Sequence, residues 1–89
     1  MSDVLVKDGC MRPIKPMNGR TYSLLELQTY VDGDVEFVYF DNGKILVVDE
    51  DGKIKNKPVN HIATGWLNVA GYHDYICGPA LLVDGSHIN

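Results

Sequence analysis

Long apolar runs are missing from these 89 residues: the longest, ILVV and ALLV, fall far short of what a bilayer-spanning helix needs. The opening MSDVLVKDG lacks the basic patch and apolar stretch of a secretory leader. Cysteine is scarce, with only Cys10 and Cys77, far apart and in no CxxC pair. Two reduced thiols are therefore expected rather than a disulfide framework. Basic residues are in deficit, eight against twelve acids, for a net charge of −4. That balance excludes a broad phosphate-binding face and hence non-specific nucleic-acid binding. A small anionic ligand is not excluded, because it needs only a few local cations. Internal repeats and low-complexity tracts are absent too. The expectation is a soluble, cytoplasmic protein with no membrane partner, folded as a single domain over residues 1–89.

Chemical motifs are equally sparse. There is no P-loop, no GxGxxG and no GxSxG elbow. Cys77 sits in an apolar run where a thiol is ordinarily inert. His61, His73 and His87 lack the tight spacing of a preformed zinc site. DEDGK suggests a calcium loop, but placing Gly52 at that loop's glycine puts Val47 and Pro58 where carboxylates are required. No catalytic residue, metal or cofactor is nominated, and the reading is of a non-enzyme.

What is present is a regular alternation of elements. VLVKDG begins with a β-like run, and RPIKPM, carrying Pro13 and Pro16, suits only an edge or a loop. Ser23-Leu24-Leu25-Glu26 is a capping box, opening a helix with apolar residues at helical spacing that Asp32-Gly33 terminates, the glycine as its left-handed residue. VEFVYF alternates as a strand. Asp41-Asn42-Gly43-Lys44 signals a hairpin, with a type I′ turn expected. KILVVDE returns as a buried strand, and KIKNK reads as a short further strand with its lysines on one side. Pro58 and Asn60 compete to start a second helix, in which Ile62, Trp66 and Val69 share a face. YICGPALLVDG closes as a strand interrupted at Gly78-Pro79. The sum is α+β, a mainly antiparallel sheet with two helices on one face, in the order β(β)αββαβ.

One stretch stands out. In DEDGKIKNKPVNHIATGW, residues 49 to 66, three of the eight basic residues fall within five positions, immediately before a helix start. Lysines on alternate positions commonly serve as the wet face of a strand that protects an edge. They also suit an anion site: a helix start presents free amides and a positive dipole end. Lys53, Lys55 and Lys57 would supply charge, and Asn60, His61 and Thr64 would supply donors. Trp66 or Tyr39 would offer a face to a base. A chain this short buries only about 60% of its unfolded surface, so a homo-oligomer is expected, with a ligand held between subunits.

From Leu25 to Trp66 the chain resembles a family of small phage-encoded and bacterial proteins known only as a domain of unknown function. The resemblance rests on LLELQTYVDGDVEFV and VVDEDGKIKNKPVNHIATGW, with ICGPALLV near the end, through a spaced VDG … EDGK … PVN-x-x-AT pattern. It implies provenance and fold more than activity. Phage provenance implies an anti-defence role, for instance a sponge that sequesters a cyclic or linear nucleotide immune signal in the host cytoplasm. The competing expectation is a protein–protein interaction module that docks on a host protein through a sheet edge or its acidic turns.

Overall fold

The computed structural model describes residues 2–88. Five strands form one antiparallel sheet: β1 (Asp3–Lys7), β2 (Cys10–Ile14), β3 (Val35–Tyr39), β4 (Lys44–Asp49) and β5 (Ala80–Asp84). Two helices, α1 (Leu24–Val31) and α2 (His61–Val69), interrupt the strand order, so the class is α+β as expected. Across the sheet the order is β2-β1-β5-β4-β3. The first and last strands thus lie side by side, with Val4 opposite Leu82 and Val6 opposite Ala80.

Local chemistry places most boundaries. Ser23 Oγ accepts from the Glu26 amide at 3.1 Å, and Glu26 accepts back from the Ser23 amide at 2.8 Å. The amide of Met17 adds a further bond to Glu26, and these donors hold its carboxyl below the usual range. At the other end of α1, Asp32, not Gly33, takes the left-handed conformation (φ 57°). The β3–β4 hairpin also departs from expectation. Gly43 has positive φ and Asn42 does not; the Gly43 amide donates to the Phe40 carbonyl and the Phe40 amide to the Lys44 carbonyl. That is a three-residue loop, a type I turn followed by a left-handed glycine, rather than type I′. Pro13 lies in β2, an edge strand, where its missing amide costs the ladder nothing.

The helices occupy opposite faces of the sheet, not one. Leu27 and Val31 of α1 join Leu5, Ile45, Val47, Leu81 and Val83 in one core. Ala63 and Leu67 of α2 join Leu46, Val48, Ala80 and Ile76 in another. The physical reason is in β4: Ile45, Leu46, Val47 and Val48 are all buried, and since successive side chains alternate faces, both faces need cover. KIKNK is not a strand: residues 51–56 run through successive turns, with Asn56 at positive φ. Cys10 is exposed and Cys77 buried, both as free thiols.

Candidate functional site

The turn segment brings its lysines back onto acids of the same chain. Asp49, at the end of β4, has a side chain with no exposed surface. Lys57 Nζ lies 2.5 Å and Lys55 Nζ 3.2 Å from its Oδ2, and the Asp51 amide donates to its Oδ1 at 2.9 Å. Burial pushes the Asp49 carboxyl up, but Lys57, the Asp51 amide and Lys55 outweigh it, and the net shift is downward. Lys57 also donates to the carbonyls of Val31 and Asp32 at 2.9 and 2.7 Å. It supplies the cation that the last turn of α1 lacks in its own sequence. Lys53 pairs with Asp74, which lowers that carboxyl and raises the lysine, and its ammonium stands 4.3 Å above the Tyr75 ring.

Asn60 is the N-cap of α2, its Oδ1 accepting from the Ala63 amide at 3.0 Å. Pro58 lies outside the helix. The Asn60 Nδ2 donates to the carbonyls of Val6 and Gly78 at 3.1 and 3.0 Å, tying the helix start to β1 and to the segment before β5. Thr64 is committed as well, its Oγ1 accepting from the Ile76 amide at 2.9 Å.

Around this start opens a cleft of about 460 Å³. It is lined by Lys57, Asn60 and His61, with Lys7, Asp8 and Gly9 from the β1–β2 turn and Thr29, Tyr30 and Asp32 from the end of α1. His61 and Lys7 are exposed, whereas Lys57 is largely engaged below. The amides of His61 and Ile62 stand in the first helical turn, without intrahelical partners. Lys7 is a member that reading the sequence missed, since it lies fifty-four positions from His61 in the chain and only the folding of β1 into the sheet brings it near.

Tyr39 and Trp66 line a different cleft of about 460 Å³, with Phe40, Val69 and Tyr72. Trp66 is half-buried against the α2-side core; Tyr39 is exposed, its ring centroid 6.4 Å from that of Phe37. The expected site residues are therefore divided: Lys57, Asn60 and His61 together, Tyr39 and Trp66 together, Lys53 beside Asp74, and Lys55 and Thr64 in neither cleft.

A second buried carboxylate was not anticipated. Asp3 accepts from the Tyr22 hydroxyl and the Asp84 amide, both at 2.9 Å, and lies 2.6 Å from His87 Nδ1. Burial, then the bond to Asp3, pushes the Tyr22 phenol far up. The cluster joins β1, the start of α1 and the end of β5. Among the described residues, no group of three or more His, Cys, Asp and Glu could hold a metal, and no helix is long and apolar enough to cross a membrane.

No curated protein and no solved structure matches the chain. The family described as "Domain of unknown function (DUF3846)" does, over residues 2–88, and the chain belongs to that family.

Proposed function

We propose that this protein is a non-enzymatic binding protein that takes up a small anionic ligand, a cyclic or linear nucleotide, in the cleft where α2 begins. The observation that carries this reading is that Lys7 lines one cleft of about 460 Å³ together with His61 and Ile62, the first two residues of α2. That volume falls within the range of small-molecule sites. The helix start, the Lys7 ammonium and the His61 ring would meet a phosphate. Lys57 and Asn60 hold the floor, and Tyr30 in place of Trp66 offers a flat face to a base. Asp8 and Asp32 on the same lining limit the charge the cleft can balance, favouring a phosphodiester or monophosphate over a triphosphate. The resemblance to phage-encoded proteins through VDG … EDGK … PVN-x-x-AT supports the biological role: a homo-oligomeric sponge for a nucleotide immune signal in the host cytoplasm.

The test is mass spectrometry of small molecules released by heat, paired with a thermal-shift screen of nucleotides. A ligand at a hundredfold over Kd stabilises by about 2.7 kcal/mol, several degrees for a domain of this size. Lys7→Glu should abolish the shift and leave the apo melting temperature within a degree or so, since Lys7 is exposed. Lys53→Glu, remote from the cleft and paired with Asp74, should retain it. If no nucleotide shifts the transition, the reading fails; a nucleotide returned chemically altered would mean an enzyme.

The second reading, docking on a host protein, draws on a different observation. Val69 is 90% and Tyr39 64% exposed beside the Trp66–Tyr72 cleft, an apolar concentration of the kind that interfaces use. Val69→Asp should abolish capture of that partner and leave nucleotide shifts intact.

A further inference from the structure

We propose that β3 pairs antiparallel with β3 of a second copy of this chain, about a two-fold axis at Phe37, so that two sheets become one. This names an interface for the homo-oligomer, yet it rests on strand geometry alone and its test involves no ligand.

The two edges of the sheet are built differently. β2 carries Arg12 and Pro13, with Lys15 just beyond: a cation and a missing amide are the devices that keep an edge from accepting another strand. β3 has none of them. Its sequence, VEFVY, contains no proline, lysine or glycine, and its register with β4 runs without a bulge from Val35 opposite Asp49 to Tyr39 opposite Ile45. A regular, apolar, unblunted edge is one that needs covering.

The backbone fixes what covers it. The Phe40 amide donates to the Lys44 carbonyl and the Glu50 amide to the Asp34 carbonyl, so the even-numbered residues of β3 face β4. The N–H and C=O groups of Val35, Phe37 and Tyr39 therefore point away from the sheet. The Tyr72 hydroxyl reaches the Tyr39 carbonyl at 3.3 Å, which leaves that oxygen a second lone pair.

A second copy matches this edge in one register better than in its neighbours. With the axis at Phe37, each outward residue meets an outward residue: Phe37 meets Phe37 and Val35 meets Tyr39, an aromatic pair and two β-branched–aromatic pairs. Glu36, the only charge in the strand, falls opposite Val38. Moving the axis to Glu36 sets two carboxylates directly opposite, which is destabilising. Moving it to Val38 leaves Val35 unpaired. A shift of the pairing by one residue matches outward groups with inward ones and forms no ladder. The resulting contact is isologous and closes, the arrangement that two-fold dimers require.

Sedimentation equilibrium over a concentration series should give about twice the 9.9 kDa chain mass at the upper end. Amide hydrogen exchange read by NMR is the sharper measurement. Where the dimer is populated, the Val35, Phe37 and Tyr39 amides should be protected. On dilution they should exchange as exposed amides while Glu36 and Val38, bonded to β4, stay protected. Tyr39→Pro deletes an outward amide and leaves the β3–β4 ladder whole, and should weaken the dimer at least about tenfold. A chain that stays monomeric throughout would overturn the proposal. So would a dimer in which the three outward amides exchange freely, or protection of those amides in a monomer bound to some other peptide.

Discussion

Asp49 has three donors around a carboxylate with no exposed surface, and its ionised form is what the surrounding residues are built for. Removing one partner of a buried ion pair costs several kcal/mol because the other charge is left uncompensated. Asp49→Asn should therefore lower stability at neutral pH by about 2–3 kcal/mol, read by urea unfolding. The pH dependence has a definite sign. The folded-state value lies below the ordinary 3.8, so the contribution is complete above that value and fades as pH falls through the depressed folded value. The wild type should lose this stability as pH falls below about 4, and Asp49→Asn should flatten that limb. In the sequence, the alternate lysines were legible and their partners were not. Periodicity assigns KIKNK to a strand face, whereas the chain turns through residues 51–56 and brings Lys55 and Lys57 back to Asp49. A signal was there: an acid directly after four buried apolar residues must be covered, and so must be paired.

The turn after β4 depends on a close approach. A Cβ on Gly52 would stand 2.2 Å from the Cys77 carbonyl oxygen, a backbone atom that cannot swing aside. Gly52→Ala should cost about 1–3 kcal/mol and move the segment carrying Lys55 and Lys57, seen as a lowered melting temperature with chemical-shift changes at Asp49. At α2, Asn60 acts as both acceptor and donor. Asn60→Asp keeps a good N-cap yet loses both bonds to the Val6 and Gly78 carbonyls, and should destabilise by about 1–3 kcal/mol. A pure capping role would make that substitution neutral, so urea unfolding separates the two roles. Elements fixed by neighbours in sequence were readable: the Ser23–Glu26 box and the hairpin position need only a few residues. The placement of the helices was less so, because it depends on reading ILVV as a strand covered on both sides rather than on one. Lys7 and Asp3 were beyond reach, since the cleft neighbours of Lys7 include residues 57–62 and the Asp84 and His87 partners of Asp3 stand at the far end of the chain.

At the scale of the molecule, β1 is an inner strand, held between β2 and β5, with Leu5 opposite Leu81. Its Asp3 gathers Tyr22 from the start of α1 and Asp84 and His87 from the end of β5 and just beyond. Deleting residues 2–7 should therefore abolish cooperative unfolding altogether, with loss of near-UV circular dichroism, where removal of an edge strand would only weaken the fold. A protein stabilised by such distant pairings is expected to fold on the millisecond-to-second scale of β-rich domains.

The adjacency of the first and last strands also sets a timetable for synthesis. Translation proceeds at about 5–20 residues per second, so β1 leaves the ribosome seconds before its neighbour β5 exists. During that interval the nascent chain can form the β1–β2 and β3–β4 hairpins, but no strand joins them, and the edge of β4 that pairs with β5 stays open. The sheet closes only when ALLV emerges and inserts between the two, like a keystone. A ribosome stalled before residue 80 would thus hold two hairpins and no domain, a species for chaperones to shield and proteases to find.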